Sequence, residues 1–253
     1  MNLYYRKYGK GEPLIIMHGL FGSSDNWHTL GKKFAEHLTV YLLDLRNHGR
    51  SPHSDNFSPE IMANDLAEFM DQQQIEVANL LGHSLGGGIA MRFTSQYPER
   101  VKKLIVVDFA PKKYQPSLDG LIKWLMSWDL SAVKTLKEAD QKFAEILPDP
   151  AIRNFLLKNL YRRKDGRFDW KVNLKTIYNN LDKVSGYLNE RTTINNPTLF
   201  IRGGKSDYIK PEDIYLIRKH FSEVEIETIS GAGHWLHAEA PDQFIKLVQN
   251  FIQ

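Results

Sequence analysis

Six short apolar runs, rich in Val, Ile and Leu, recur along the chain: Leu14–Met17, Val40–Leu45, Val77–Leu81, Leu104–Val107, Thr198–Ile201 and Val224–Ile229. Runs this short and this continuous suit strands covered on both faces, as in a parallel sheet with helices above and below. The segments between them have apolar residues at three- and four-residue spacing. Helices are therefore predicted over Asn26–Leu38, Pro59–Gln73, Leu85–Tyr97 and Pro241–Ile252. Ser58 before Pro59 and Ala240 before Pro241 mark helix starts. This alternation predicts an α/β fold with a mostly parallel central sheet. Asn2–Tyr8 is expected to add a strand at the sheet edge.

The rhythm breaks between Pro111 and Asn195, where no convincing strand is read. Amphipathic stretches there cover Leu118–Trp128, Ala132–Ile146, Ala151–Tyr161 and Leu174–Tyr178, interrupted at Pro148 and Pro150. The expected organisation is a core of residues 1–110 and 196–253, with a helical cap, 111–195, inserted after the sixth core strand. Between Lys112 and Glu190 there are 15 Lys/Arg against 10 Asp/Glu, so the insertion is the basic part of a chain whose net charge is only +3. Its aromatic residues, among them Trp124, Trp128, Phe155 and Trp170, are expected mainly to pack the cap, with one or two lining an apolar pocket.

The mild net charge argues against a nucleic-acid surface. Cysteine is absent, which excludes disulfides and thiolate metal sites and is compatible with a reducing compartment. Met1–Lys10 lacks the pattern of a secretory signal, and no apolar run reaches membrane-spanning length. A soluble cytoplasmic protein, monomer or homodimer, is expected.

Gly82-His83-Ser84-Leu85-Gly86 lies where an apolar run gives way to a helix. A serine hydroxyl becomes a nucleophile when a sharp strand-to-helix turn holds it within reach of a base. Ser84 is the candidate nucleophile, and the helix behind it points N–H groups toward negative charge formed at the hydroxyl. The candidate base is His234, in the Gly-rich loop Gly231-Ala232-Gly233-His234-Trp235 past the last strand. His83 reads as a packing neighbour of the turn, and His237 as a surface or helix-start residue. The base needs an acid, and two carboxylates qualify: Asp207, after the strand Thr198–Ile201, and Asp108, at the end of Leu104–Val107. Residues alone leave both open. Candidate oxyanion donors are the N–H groups of Leu85 and Leu20, with Phe21 as an alternate, because His18-Gly19-Leu20-Phe21-Gly22 can bring backbone close to a ligand. Asp44, Arg46 and His48 are expected to tie loops together, and His18 to brace its own. The histidines lack metal-ligand spacing, and Gly86-Gly87-Gly88 is no dinucleotide fingerprint, so neither metal nor cofactor is expected.

Together the His-Gly loop, the Asp44–Ser51 turn, the Ser84 elbow, Asp207 and His234 resemble an α/β-hydrolase-fold serine hydrolase over nearly the whole chain. Within that superfamily His18–Ser23, Asp44–Gly49, Val107–Pro111 and Gly231–Trp235 look like the bacterial YbfF esterases. The resemblance implies hydrolysis of small-molecule carboxylic esters or acyl thioesters without a cofactor. It also implies that the residue matching Asp108 is the triad acid, whereas this chain has Asp207 at the superfamily's more common position. Carbon–carbon bond hydrolases or lyases of the same fold, and a slow-turnover ligand sensor, are the competing classes. Haloalkane dehalogenases and epoxide hydrolases would carry a carboxylate in place of Ser84.

Overall fold

The computed structural model of the chain describes residues 1–114, 118–184 and 187–253, so two short stretches of the expected cap lie outside the described residues. The core strands are β1 (Tyr5–Tyr8), β2 (Glu12–Met17), β3 (Leu38–Leu43), β4 (Ala78–His83), β5 (Val101–Val107), β8 (Thr198–Gly203) and β9 (Val224–Ile229). They form one sheet in the order β1-β3-β2-β4-β5-β8-β9, parallel throughout except for the antiparallel edge strand β1.

The continuous apolar runs are explained by this sheet having two buried faces. Side chains alternate across a strand, so Ile15 and Met17 of β2 join one apolar cluster while Leu14 and Ile16 join the other. Strand β5 divides in the same way, Leu104 and Val106 against Ile105 and Val107. One face is covered by α2 (Pro59–Gln72) and α3 (Leu85–Gln96), which contribute Met62, Leu66, Phe69, Ile89 and Phe93. The other is covered by α1 (His28–Phe34) and α10 (Pro241–Ile252), through Leu30, Phe34, Phe244 and Val248. Burying each such side chain is worth about 1.5–3 kcal/mol. Ser58 caps α2 by accepting a hydrogen bond from Ile61 N–H, with Pro59 in the first turn. The helix predicted from Asn26 is shorter, because a 3₁₀ turn over Ser24–Trp27 precedes α1 and the chain has entered β3 by Leu38.

Between β5 and β8 the chain runs through α4 (Asp119–Ser127), α5 (Leu136–Ala144), α6 (Pro150–Leu157), the two-stranded hairpin β6 (Leu160–Arg162) and β7 (Phe168–Trp170), and α7 (Leu174–Tyr178). Two expectations are corrected here. The insertion follows β5, the fifth strand, because only β1 precedes the parallel set. It also contains strands: the helix expected to reach Tyr161 stops at Leu157, and the hairpin turns at Gly166 with φ +85. Three-residue strands are too short to show a periodic signal. Two further helices, α8 (Asp213–His220) and α9 (Leu236–Glu239), flank β9.

All the loops singled out in the sequence leave the C-terminal ends of parallel strands, the end at which open α/β sheets form their crevice. The tightest point is the start of α3. A Cβ on Gly82 would stand 2.2 Å from the Gly86 carbonyl oxygen, and one on Gly86 2.4 Å from that of Met17. Gly86→Ala is expected to lower Tm strongly or prevent soluble expression. Gly120→Ala in α4, where a Cβ meets nothing within 4 Å, is expected to be neutral or stabilising by about 0.5–1 kcal/mol. Thermal unfolding of the two variants side by side checks the contrast.

Candidate active site

Ser84 stands between β4 and α3 with φ 51 and ψ −115, a conformation that a non-glycine residue rarely adopts. Its N–H donates to the Val107 carbonyl at 3.0 Å, which ties the turn to β5. Its hydroxyl does not cap α3, and no acidic residue occupies the first turn of that helix. The N-terminal amides of α3 are therefore available to an anion. Phe21 (φ 60) and Asp108 (φ 50) also have positive φ, so three of the five non-glycine residues with positive φ among the described residues lie in this crevice. Such conformations cost on the order of 1–3 kcal/mol each and persist only where packing enforces them.

His234 is held from three sides. Its Nδ1–H donates to Asp108 Oδ2 at 2.7 Å, which leaves Nε2 as the basic nitrogen. Tyr208 stacks on its ring, with centroids 3.8 Å apart and planes at 15°. Its backbone carbonyl accepts a hydrogen bond from His83 Nε2–H at 2.9 Å, and the two imidazoles lie 4.6 Å apart. The residue immediately before Ser84 is thus in contact with the candidate base, 151 positions along the chain. Among the described residues no hydrogen bond joins Ser84 Oγ to His234 Nε2. Bonds of this kind commonly tighten only when substrate is bound.

Asp108 is fully buried, and its carboxylate is saturated with donors: His234 Nδ1–H, the Ser206 hydroxyl and, on Oδ1, Gly203 N–H at 3.1 Å. A buried carboxylate is tolerable only with such partners. Asp207 lies elsewhere. It is exposed on the loop after β8, and no hydrogen bond or ion pair reaches it among the described residues. The structure brings Asp108, and not Asp207, to the imidazole.

The His18–Gly22 loop lies directly on the elbow. A Cβ on Gly19 would stand 2.9 Å from His83 Nδ1 and 3.2 Å from Ser84 Cβ. Among the described residues the N–H groups of Leu20 and Phe21 have no backbone acceptor, and Leu85 opens α3, so its amide lies outside the helical ladder. Asn159, from the insertion, donates to the Phe21 carbonyl at 2.7 Å and fixes this loop from above. Three residues in contact with the site were not singled out by sequence: Ser206, Tyr208 and Asn159. Ser206 and Tyr208 flank Asp207, whose charge drew the attention.

The remaining polar residues brace the site. Asp44 accepts from Ser24 N–H at 2.6 Å and Arg50 N–H at 2.8 Å. Arg46 forms a two-bond buried pair with Asp65 and donates to the Asn56 carbonyl. His18 donates from Nδ1 to the Gly19 carbonyl and accepts Leu45 N–H on Nε2, which fixes it as a neutral tautomer. His237 was expected at the surface or at a helix start. It is in the first turn of α9 but buried, stacked on Trp27 at 4.3 Å, because α9 folds back against the sheet. Among the described residues no cluster of His, Asp or Glu is placed to hold a metal ion.

Residues 12–241 match the alpha/beta hydrolase fold family. The chain belongs to that family. Among curated relatives it is 34% identical to the sn-1-specific diacylglycerol lipase ABHD11 of Danio rerio, over all of this chain and 83% of the relative. It is 31% identical to the esterase YbfF of Escherichia coli, over 95% of this chain and 92% of the relative. Among solved structures it is similar to a marine microorganism esterase, at 45% identity and a TM-score of 0.96 over 98% of both chains. An E-2-(acetamidomethylene)succinate hydrolase, at 21% identity and a TM-score of 0.79, shares the fold.

Burial sets the acid limit of this hydrolase's stability. Desolvation pushes His18 down to about 4 and His48 and His237 down to about 3, and holds His83 well below its ordinary value. The unfolded chain protonates these groups near pH 6.5, so it binds more protons than the folded protein from there down to about pH 4 for His18 and about pH 3 for His48 and His237. Stability is full above pH 6.5 and falls as the pH drops, by up to about 1.4 kcal/mol per pH unit for each histidine. The urea midpoint is expected to fall steeply from pH 7 to pH 5, and a flat profile would contradict the burial of these rings. A second expectation concerns the His83 bond to the base loop. His83→Phe should lower kcat at least tenfold with little change in KM, while His83→Gln, which keeps a donor, recovers part of the loss.

Proposed function

We propose that this hydrolase cleaves carboxylic esters through an acyl-serine intermediate, with Ser84 as nucleophile, His234 as base and Asp108 as the acid that orients it. The reaction class is carboxylic ester hydrolysis, in keeping with the family and with relatives that are esterases and lipases. The observation that supports the residue assignment is that the loops after β4 and β9 meet at one end of the sheet, where His83, next to Ser84, bonds the His234 carbonyl, with Asp108 on the Nδ1 side of the imidazole.

In this reading His234 Nε2 takes the Ser84 proton as Oγ bonds to the acyl carbon. The oxyanion that forms accepts hydrogen bonds from Leu85 N–H and Leu20 N–H, each donor worth about 3 kcal/mol. Phe21 N–H is the alternate. Collapse breaks the bond to the leaving oxygen, which departs with the proton from His234, and water, deprotonated by the same imidazole, releases the acid. Asp108 holds the proton on Nδ1 and stabilises the imidazolium without being protonated itself. Acyl thioesters would react by the same steps with a thiolate leaving group. Residues 111–195 act as a cap over a core of 1–110 and 196–253; the contacts of Asn159 with Phe21 and of Phe155 with Trp235, ring centroids 5.7 Å apart, support that division. No helix among the described residues is long and apolar enough to cross a membrane, and a cytoplasmic setting fits a chain without cysteine.

Steady-state hydrolysis of p-nitrophenyl esters, run beside acyl-CoA thioesters, tests the assignment. Ser84→Ala and His234→Ala should each lose about 10³-fold or more in kcat with the fold intact. Asp108→Asn should lose at least about 10²-fold, while Asp207→Asn stays within about twofold of wild type, as expected for a surface substitution. Equal losses in the two aspartate variants would contradict the choice of Asp108.

A further inference from the structure

The positive charge of the insertion is concentrated in one short segment. From Tyr161 to Lys175 there are six basic residues, Arg162, Arg163, Lys164, Arg167, Lys171 and Lys175, against Asp165 and Asp169. The two aspartates are satisfied within the hairpin: Arg163 pairs with Asp169 at 3.2 Å and Arg167 with Asp165 at 2.7 Å. That leaves Arg162, Lys164, Lys171 and Lys175 with no carboxylate partner among the described residues. Arg162 lies over the Phe168 ring and donates to the Gly166 and Lys134 carbonyls, and Lys171 donates to the Lys158 carbonyl. Backbone carbonyls orient these cations but do not neutralise them.

The same segment borders a groove of about 670 Å³ whose walls include Met126, Trp128, Tyr161 and Trp170, with Arg163, Arg167 and Lys175 against Asp129 and Asp169, so the unpaired charge of Arg162, Lys164 and Lys171 lies on the hairpin beside the groove rather than in its lining. None of the catalytic residues proposed above lines it. Met126 and Tyr161 are 43% and 40% exposed, although neither has a polar role that would require exposure. Of the six large apolar side chains exposed among the described residues, four belong to the insertion: these two, Leu136 and Ile146. The Arg162 bond to the Lys134 carbonyl sets the start of α5, where Leu136 projects, beside the hairpin.

Trp and Tyr gather where an apolar phase meets water, because one part of the ring system is apolar and another is wet, and uncompensated Lys and Arg add attraction to an anionic lipid surface. We infer that the β6–β7 hairpin and its groove form a docking surface for an anionic lipid bilayer, onto which the protein lies without inserting a helix. This inference concerns binding and stands independently of the residue roles proposed at Ser84.

Sedimentation of the full chain with vesicles tests it. Wild type should partition onto phosphatidylcholine vesicles containing about one-third phosphatidylglycerol, should not partition onto phosphatidylcholine alone, and should be released at high salt. Lys164→Glu/Lys175→Glu should weaken partition about twentyfold or more, and Met126→Asp/Tyr161→Asp should weaken it as well. Both variants should hydrolyse a soluble p-nitrophenyl ester at the wild-type rate, which also verifies that they fold. Equal partition onto neutral and anionic vesicles, or wild-type partition by the charge-reversed variant, would overturn the inference. So would full release by millimolar glycerol phosphate, which would make the patch a site for a soluble phosphate instead. The comparison of the two vesicle types needs no variant, so a folding failure in either variant leaves the test intact.

Discussion

The packing of glycine against backbone where β4 turns into α3 is the constraint on which the rest of the crevice depends. Gly82 and Gly86 let helix, turn and neighbouring strand approach to distances at which any Cβ would collide with a carbonyl oxygen. Ser84 is thereby forced to φ 51 and lifted clear of the sheet. Gly19 repeats the device from the other side, letting the His18–Gly22 loop close onto His83 and Ser84. Strain at Ser84, Phe21 and Asp108 is sustained by the apolar clusters on both faces of the sheet, whose burial far outweighs a few kcal/mol of unfavourable backbone.

A second layer of order comes from polar groups that are buried and fully committed. The Arg46–Asp65 pair, the Asp44 carboxylate and His18 hold loops whose backbone would otherwise be free to move. In the proposed chemistry a misplacement of about 1 Å between hydroxyl and imidazole is costly, so rigidity in these loops has a functional purpose. The neutral imidazoles beneath the site are the corollary: the burial that makes them good braces also makes them acid-sensitive.

Periodicity revealed the layers. Runs such as Leu14–Met17 and Leu104–Val107 are apolar at every position because both faces of the sheet are covered, and that signal survives without any knowledge of partners. The Ser84 and His234 loops were legible because glycine clusters next to reactive side chains are rare. The choice between Asp108 and Asp207 was not legible. It turns on which carboxylate is buried, and burial at this point follows from β5 and β8 pairing in a register that puts Gly203 N–H on Asp108. His237 stands at a helix start, as expected, but its burial was not legible for the same reason, since nothing nearby in sequence announces Trp27. The β6–β7 hairpin escaped because three-residue strands carry no period. Ser206, Tyr208 and Asn159 gain their importance only from contacts made across the fold.

The insertion combines two surfaces: it reaches into the crevice through Asn159 and Phe155, and it carries an aromatic groove, beside a basic hairpin, whose lining includes neither. The proposed chemistry of the crevice requires Ser84 to become covalently bound to the acyl group. Rapid acid quench of the protein during turnover of a p-nitrophenyl ester, followed by peptide mass mapping, tests this most directly. A transient acyl group is expected on the peptide that contains Ser84. An acyl group on another side chain, or turnover with no acyl-protein at any quench time, would contradict it.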